Sequence, residues 1–482
     1  MAGFLLAAEE ELSIEVQKKE APLRFATTKR SFIAEGWVPT DRFDELAVTL
    51  DERLGDRVEL EELESVAFEQ AAPHHGHGEA EAATDGGTST PTSMHAREPP
   101  VVLDNPKSVK PFQLLVETIS RPRYYEIDPT VILLLTFPTM FGLMIGDVGY
   151  GILYILMGLG LYRMYDSLAM RSLGGIAIWC GIFTTIFGFF YGELFGFHTF
   201  DYYFWQPVVG LEGPPIEKGL DSAFALLWLV VALLIGLVHL SIGYVFAFLN
   251  ELKSEGLLTA FSANISWLLL MNGFWVWVFS THMPDLKPEF VFTVFDGEPV
   301  GLGFAGFDPA IGLGGLGIAA LGFVIMLYGE YLHEGGIGIA IGVLESLSGM
   351  LVNVLSYARV TAVLLAKAGM AFVVNLLTVG AYRGADGRLH FLDPATAQAP
   401  PDGDLMFGGV MTTDAGIAVV LATVVVGALI FVIGHIIVLF LGISSAGLQG
   451  VRLEYVEFFG KFYDGGGDKY EPFGYDRSYT NG

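Results

Sequence analysis

Charged side chains inside otherwise apolar stretches are the residues of this sequence that could do chemistry. The segment from Gly338 to Gly380 is mostly apolar, yet it contains Glu345, Arg359 and Lys367. A charged group near the centre of a bilayer costs several kcal/mol or more, so such groups are usually functional. These three residues are therefore the first candidates for an ion-conducting role.

The spacing of two of these charges indicates a shared helix face. Glu345 and Arg359 are 14 positions apart, which is close to four turns of an α-helix and about 21 Å along its axis. Both lie on nearly the same face, together with Ser356. An anion towards one end and a cation near the middle suit an aqueous half-channel beside an electrostatic barrier. The alternative is that Glu345 extends to the membrane interface while Arg359 pairs with a buried carboxylate for structure alone.

The last apolar stretch also contains polar and charged residues, namely His435, Gln449 and Arg452. His435 could relay protons, although a lone buried histidine is more often a hydrogen-bonded packing residue. Arg452 lies at or just inside the end of the stretch. Extension of its side chain to the interface is therefore an equally good interpretation.

Three further acidic residues stand at the ends of apolar segments. Asp147 lies between glycines at a predicted helix junction, where capping of the next helix is favoured over a place in an ion path. Glu193 and Glu330 are candidates for a channel mouth, and an interfacial position without function fits them equally well.

The composition determines the class of protein. Hydrophobic residues make up 52% of the 482 positions and charged residues only 16%, which is too apolar for a soluble protein of this size. The sequence therefore predicts a membrane all-α fold. The net charge of −27 argues against nucleic acid as a partner, and a high-salt habitat would produce the same acidity. The lone Cys180 excludes a disulfide framework within the chain.

Hydropathy predicts about eight transmembrane helices. They are placed near residues 131–145, 147–164, 172–195, 222–249, 258–282, 310–329, 338–380 and 414–456. The last two are much longer than the roughly 20 residues that cross a bilayer upright, so they are expected to be strongly tilted.

An even number of spans places both termini on one side of the membrane. That side carries most of the basic residues in short loops and flanks, namely Arg121, Arg123, Arg163, Arg171, Lys253, Lys461 and Lys469. The other side has Lys218, Lys287, Arg383 and Arg388. The positive-inside rule therefore predicts a multi-pass protein of the cell membrane with both termini in the cytoplasm.

Three regions are predicted along the chain. Residues 1–70 resemble part of a small cytosolic α/β domain, residues 71–104 form a flexible acidic linker, and residues 105–482 form the membrane domain. The linker contains His74, His75, His77 and His95. A flexible insert with incidental histidines is favoured over a metal site, because no cysteine or carboxylate ligands recur at fixed spacing.

Several motifs are absent from the sequence. It contains no Gly-x-x-x-x-Gly-Lys-Ser/Thr phosphate loop, no His-Glu-x-x-His and no Gly-x-Ser-x-Gly, so we expect no nucleotide hydrolysis, no metal and no cofactor in this chain. The start of the sequence does not have the pattern of a cleaved signal peptide.

Three segments together resemble a known family. They are Phe137–Gly151, Ser356–Ala366 and Val451–Tyr463. The combination is similar to the membrane stator subunit of rotary ATPases, called subunit a in the vacuolar type and subunit I in archaeal A-type ATP synthases. The similarity runs from about Asn105 to Tyr475, and the acidic surface is most like that of a haloarchaeal version.

This resemblance implies specific partners and roles. In the family, a ring of small hairpin subunits, the c-ring, rotates past two long tilted helices, and Arg359 matches the arginine that faces the ring carboxylates. Glu345 matches an acid on the same face, and Arg452 matches a second family arginine. Peripheral stalk subunits, a central-stalk adaptor, the soluble catalytic head and the lipid bilayer are the other implied partners. Either H⁺ or Na⁺ would serve as the coupling ion, since the ring carries the binding carboxylate.

The sequence departs from the family pattern in three places. Lys367 stands where the eukaryotic branch has a histidine, and Gly442 stands where that branch has a glutamate. Only the end of the family's long N-terminal cytosolic domain, which binds the peripheral stalks, is expected before Asn105, through truncation or a separate chain. A proton-coupled secondary transporter and a structural scaffold are the alternative functions. The stator hypothesis predicts two unbroken helices and no partner for Arg359 within this chain.

Overall fold

The computed structural model describes most of the chain. The described residues are 2–27, 31–62, 98–219, 222–297, 300–384, 389–392, 403–411 and 417–472. Two compact units are present, and each is described by itself. The histidines of the predicted linker, at positions 74, 75, 77 and 95, lie outside the described residues.

The first unit combines three parts of the chain, which are Met1–Asp104, Ser120–Glu126 and Gly465–Gly482. Its elements are α1 (Ala2–Glu20), β1 (Ala26–Thr27), β2 (Phe32–Ile33) and α2 (Phe43–Leu54). The two short strands pair antiparallel. The backbone of Val101 bonds to that of Asp468 and Tyr470, which connects the segments before and after the membrane region. The predicted limits at residues 70 and 104 stay predictions.

The second unit, Asn105–Ile119 and Ile127–Asp464, is almost entirely helical. Its helices are α3 (Gln113–Ile119), α4 (Thr130–Ile145), α5 (Val148–Met164), α6 (Leu168–Phe190), α7 (Ser222–Ser254), α8 (Leu257–Ala260), α9 (Ser266–Val278), α10 (Phe290–Thr293), α11 (Pro309–Leu355), α12 (Ala358–Val379) and α13 (Ile417–Arg452). A three-stranded antiparallel sheet has β3 (Gly380–Arg383) between β4 (Leu389–Phe391) and β5 (Asp404–Gly408).

Six helical segments in the described part of the chain are long and apolar enough to cross a membrane. They are Leu168–Phe190, Ser222–Ser254, Leu257–Val278, Pro309–Leu332, Gly335–Val379 and Val419–Lys461. The apolar helices α4 and α5 are shorter. The predicted membrane all-α class is confirmed, and the count of eight stays a prediction because it includes these two shorter helices.

Glycines allow the helices of this unit to approach closely. A Cβ atom on Gly158 would lie 2.7 Å from the backbone oxygen of Gly174, so α5 and α6 cross where both residues lack side chains. Gly273 of α9 and Gly315 of α11 form a similar contact. Small residues at crossing points are typical of helix packing in membranes, where van der Waals contact rather than exclusion of water holds helices together.

Helix α11 turns back on itself at Gly335, whose backbone φ of 68° is left-handed. A Cβ atom on Gly342 would lie 3.1 Å from the side chain of Glu330. In a straight helix these residues would be about 18 Å apart at 1.5 Å per residue. The two arms of α11 therefore run beside each other, in agreement with separate spans near 310–329 and 338–380.

The expectation of an unbroken seventh span is wrong. The helix is interrupted at Ser356 and Tyr357, immediately before Arg359. The backbone N–H of Tyr357 bonds to Val354 and that of Arg359 to Ser356, so the spacing shortens from four residues to three. The physical reason is the Tyr357 side chain, which is fully buried against Gly236 of α7.

Helix α13 is long, as predicted. Its 36 residues extend about 54 Å at 1.5 Å per residue, well beyond a hydrocarbon core of about 30 Å. After Arg452 the helix widens into a π-helical turn over Leu453–Phe458. Strong tilt of α13 and α12 stays a prediction.

Candidate functional site

Two polar clusters lie along α12 and the break before it. The Lys367 cluster consists of Asp147, Glu193, Lys218 and Lys367, all of which are buried. The Lys367 ammonium lies 3.2 Å from Asp147 Oδ2 and 3.7 Å from Glu193 Oε2, and the Lys218 ammonium lies 2.8 Å from Glu193 Oε2. Two formal positive charges thus face two negative ones. Lys367 and two of the three acidic residues that the sequence analysis singled out at the ends of apolar segments are brought together here.

Asp147 is held by the turn between α4 and α5. Gly146 ends α4 in a left-handed conformation, and Asp147 then caps α5 by accepting from the N–H of Tyr150 at 3.2 Å. The N–H groups of Phe195 and Gly196 also donate to its carboxylate, at 3.0 and 2.8 Å. The predicted capping role is therefore confirmed. The same carboxylate also pairs with Lys367, so capping and charge pairing coexist in one residue.

Lys218 reaches the cluster from the loop before α7. Its ammonium also donates to the backbone oxygen of Gly146 at 3.0 Å and lies over the Tyr191 ring at 4.6 Å. Burial lowers the pKa of Lys218 to about 8, although the charge of Glu193 opposes this shift. Glu193 is buried and charge-paired, whereas a channel mouth would require an exposed carboxylate.

A chain of hydrogen bonds extends from this cluster to α13. The Tyr150 hydroxyl meets His435 Nδ1 at 2.5 Å, and His435 Nε2 meets Asn375 Oδ1 at 3.0 Å. The Asn375 amide then donates to the backbone oxygen of Phe195 at 2.9 Å. His435 therefore has the hydrogen-bonded packing role that the sequence favoured. The connected polar groups also form a continuous route between α5, α12 and α13.

The Arg359 cluster consists of Arg359, Ser356 and Glu457. The Nη1 atom of Arg359 lies 2.7 Å from Ser356 Oγ and 3.2 Å from Glu457 Oε1. The side chain of Glu457 is 4% exposed and that of Arg359 is 31% exposed. The prediction that Arg359 has no partner in this chain is wrong. The cause is that the π-helical turn after α13 places Glu457 beside the break before α12.

The other predicted residues are not joined to either cluster by a described contact. Gln449 has a buried side-chain oxygen without a hydrogen bond in the described part of the chain. Arg452 is exposed, and Glu330 packs against Gly342 at the turn of α11. The side chain of Glu345 lies outside the described residues. Within the described ranges, no group of three or more His, Cys, Asp and Glu side chains could hold a metal ion.

Comparison with known proteins then places the chain in a family. A model of the V-type ATPase 116kDa subunit family matches residues 20–201 and 404–475. The first matched segment contains Asp147 and Glu193, and the second contains His435 and Glu457.

This chain belongs to the V-type ATPase 116kDa subunit family.

Individual relatives agree with this assignment. A protein named A-type ATP synthase subunit I from Halobacterium salinarum is 46% identical over 507 residues, which cover 99% of this chain and 66% of the relative. A protein of the same name from Archaeoglobus fulgidus is 28% identical, over 98% of this chain and 62% of the relative. The vacuolar proton translocating ATPase 100 kDa subunit of Dictyostelium discoideum is 24% identical over 47% of this chain and 28% of the relative. The chain thus spans less than two thirds of the length of these relatives.

Sequence reasoning did not select four residues of the two clusters and of the hydrogen-bonded chain to His435. Lys218 and Glu457 belong to the clusters, and Tyr150 and Asn375 belong to the chain. Glu457 lies in a motif that carried the resemblance, and its acidic type in an apolar segment was the available signal. No spacing rule connects residues on separate helices, so their meeting points were not predictable from the sequence.

Proposed function

We propose that this chain is the membrane stator subunit of a rotary A/V-type ATP synthase. It forms two proton half-channels against a rotating c-ring and couples proton translocation to ATP synthesis or hydrolysis. Peripheral stalk subunits and a central-stalk adaptor connect it to the soluble catalytic head, which holds the nucleotide sites. Family membership and the names of the archaeal and Dictyostelium relatives support this proposal.

The accessible guanidinium of Arg359 is the observation that carries the proposal. Its described hydrogen bonds to Ser356 and Glu457 all come from Nη1. Among the described residues, Nη2 and Nε make no hydrogen bond, and about a third of the side chain is exposed. A guanidinium presents five donors in a planar fork, so a carboxylate from a neighbouring subunit can bind the open side.

The positive charge of Arg359 suits a site that a carboxylate of another subunit moves past. A ring carboxylate is stabilised in its ionised form beside Arg359 and must take up a proton before it re-enters lipid. The positive charge of Arg359 blocks a direct proton leak between the half-channels. Each charge that crosses the membrane gains about 2.3 kcal/mol per 100 mV, so several protons can drive one ATP.

The other polar groups provide the two access routes in this proposal. Arg359 and Lys367 are eight positions apart on α12, or about 12 Å at 1.5 Å per residue. The Lys367 cluster and its hydrogen-bonded chain to His435 line the route towards the loops at 197–221 and 381–413. Glu345, Gln449 and Arg452 serve the route on the other side of Arg359. The basic residues of the short loops favour an orientation with both termini in the cytoplasm.

Substitution of Arg359 tests the proposal. In the complete complex reconstituted into vesicles, we expect Arg359→Ala to abolish ATP synthesis driven by a proton gradient, because the ring carboxylate loses its counter-charge and the leak barrier disappears. The measurement is the rate of ATP synthesis together with the passive proton permeability of the same vesicles.

Arg163→Ala is the matched control, since Arg163 is an exposed arginine in the last turn of α5. We expect this variant to retain the full rate of ATP synthesis. Coupled synthesis at a near-normal rate in Arg359→Ala would refute the stator function.

The in-chain partner of Arg359 favours a second candidate function. A proton-coupled secondary transporter needs no ring, and the Arg359–Glu457 pair gives it a self-contained charge pair. This function predicts solute uptake, driven by a proton gradient, in vesicles that contain this chain alone. The stator function predicts neither uptake nor coupled transport without the ring.

A further inference from the structure

Lys218 connects a surface loop to the buried charges of the Lys367 cluster. It is the only lysine or arginine in the loop at 197–221, and its side chain is buried. The other members of the cluster lie on helices or at their ends. The chain neighbours Glu217 and Gly219 are only half-buried, so the backbone lies near the surface while the ammonium points inward.

Two hydrogen bonds of the preceding residues hold the loop at Lys218. The N–H of Ile216 donates to the backbone oxygen of Phe190 at 3.2 Å. The backbone oxygen of Glu217 accepts from Trp228 Nε1 at 3.3 Å. These bonds attach the loop to the end of α6 and to α7, and they fix the point from which the lysine side chain enters the cluster.

Glu193 faces two ammonium groups with a single oxygen. Its Oε2 atom lies 2.8 Å from Lys218 Nζ and 3.7 Å from Lys367 Nζ. The same oxygen accepts no hydrogen bond from the described residues, so it keeps a lone pair. The shorter distance lies within the range of N–H···O hydrogen bonds, about 2.7–3.2 Å. Rotation of the Lys218 ammonium therefore brings a proton into line with Glu193 Oε2.

The surroundings of Lys218 allow its ammonium to lose a proton. Burial lowers the pKa of Lys218 to about 8, against the opposing charge of Glu193. The charge of Lys367 acts in the same direction as burial, and that of Asp147 opposes it. The Tyr191 ring, 4.6 Å from the ammonium, stays neutral because burial raises the pKa of its phenol. Lysine can thus change its charge here, whereas arginine would remain a cation.

We propose that Lys218 is the outer proton-exchange residue of this chain, which takes up protons on the loop side and passes them to Glu193. The inference rests on the proposed stator function. It deepens that function, because it names the group through which the outer access route exchanges protons with the solution.

The transfer is balanced in protons and electrons. The N–H bond of the Lys218 ammonium breaks, its electron pair stays on nitrogen, and an O–H bond forms at Glu193 Oε2. A charged pair becomes a neutral amine and a neutral acid, so the total charge of the cluster is unchanged. The amine then takes a proton from the outer solution. Lys367 meanwhile keeps only Asp147, at 3.2 Å, as its ionised partner.

Arginine at position 218 separates proton exchange from charge pairing. Lys218→Arg keeps the positive charge but cannot release a proton. Positioned acid–base groups contribute about 10²–10⁴ in rate. In the complete complex reconstituted into vesicles, we therefore expect ATP synthesis driven by a proton gradient to fall at least tenfold. Lys253→Arg is the matched control and should keep the full rate, because Lys253 is exposed in the last turn of α7.

Synthesis within about twofold of the wild-type rate in Lys218→Arg, well below the gain expected of an acid–base group, would overturn the proton-exchange role. If Arg359→Ala abolishes coupling in the same preparations, the stator function stands and only this inference fails. If Arg359→Ala also keeps coupling, the proposed function itself fails.

A second measurement does not depend on how arginine fits the buried site. The outer pH is varied while the inner pH and the total driving force are held constant. Lys218 must carry a proton to donate it, so we expect ATP synthesis by the wild-type complex to fall as the outer pH rises through about 8. The Lys253→Arg control should show the same fall.

The double variant Lys218→Met with Glu193→Gln assigns that fall to Lys218. It removes both charges of the pair and leaves neither one buried alone, so we expect the complex to assemble. Copurification with the ring establishes assembly. Synthesis should be slow at every outer pH. A wild-type rate that does not change as the outer pH passes about 8 would overturn the inference. A double variant with the rate and pH dependence of wild type would overturn it as well.

Discussion

At the level of single residues, the Lys367 cluster shows how this chain retains four charges inside a membrane domain. Lys367 and Lys218 face Asp147 and Glu193, so each buried charge has an opposite one within 4 Å. Such a cluster is weak evidence for stability, because desolvation cancels much of the attraction. Loss of one member nevertheless lowers the free energy of unfolding, because the buried charge of its partner is then left unpaired.

The substitution Lys367→Met tests whether the loss of one charge destabilises the protein. We expect it to lower the free energy of unfolding by about 3–5 kcal/mol, because Asp147 loses its nearest cation while it remains buried. The measurement is thermal or denaturant unfolding of the detergent-solubilised chain, followed by tryptophan fluorescence.

The double variant Lys367→Met with Asp147→Asn is the control. The asparagine oxygen can keep the bonds that Asp147 Oδ1 accepts from the N–H groups of Tyr150 and Phe195, so much of the lost stability should return although the bond from Gly196 to Oδ2 is lost. Unchanged stability in Lys367→Met would contradict the pairing, as would a double variant no more stable than the single one.

At the level of elements, the break between α11 and α12 positions Arg359. Tyr357 at the break packs on Gly236, and its hydroxyl reaches His239 one turn further along α7. The Thr361 hydroxyl donates to the backbone oxygen of Trp228 at 2.7 Å and holds the start of α12 on the same helix. The direction of the arginine thus depends on the absence of a side chain at position 236.

We therefore expect the substitution Gly236→Ala to disturb the position of Arg359, although Gly236 is not part of the Arg359 cluster. Its Cβ atom would lie 2.6 Å from the Tyr357 ring, which is too close without displacement. Overpacking of a core costs about 1–3 kcal/mol, and we expect a similar loss in the free energy of unfolding together with slower proton pumping. Gly160→Ala on α5 is the control, because its Cβ atom would meet nothing within 4 Å.

We expect the control to be neutral or up to about 1 kcal/mol more stable, as alanine favours helix over glycine. Equal stability and equal pumping in Gly236→Ala and Gly160→Ala would show that the packing of Tyr357 does not direct Arg359.

At the level of the whole molecule, the helix order sets which cluster belongs to which side. Gly146, Glu193 and Lys218 lie at the ends of α4, α6 and the loop before α7. Glu454 and Glu457 lie at the opposite end of the last span. In the proposed orientation, with both termini in the cytoplasm, we expect the Lys367 cluster to lie towards the outer surface and Glu454 and Glu457 to lie towards the cytoplasm.

Cysteine labelling of intact cells tests this orientation. The native Cys180 is buried and gives little background. We expect a membrane-impermeant maleimide to label Leu286→Cys, in an exposed outer loop, and to leave Ser167→Cys unlabelled until the cells are permeabilised. The positive-inside bias is the physical reason, since Arg163 and Arg171 flank Ser167. The reverse labelling pattern would invert the proposed direction of both access routes.

The sequence by itself determined the membrane all-α class and the long last helix, and it selected Arg359 as a candidate, because hydropathy and the cost of buried charge act residue by residue. It also placed Asp147 at a cap, since capping is local. Only the tertiary structure decided that Arg359 pairs with Glu457, that Lys367 faces Asp147 and that the seventh span breaks at Tyr357. These features depend on which helices meet, and contacts between helices distant in sequence follow from packing and from no local pattern.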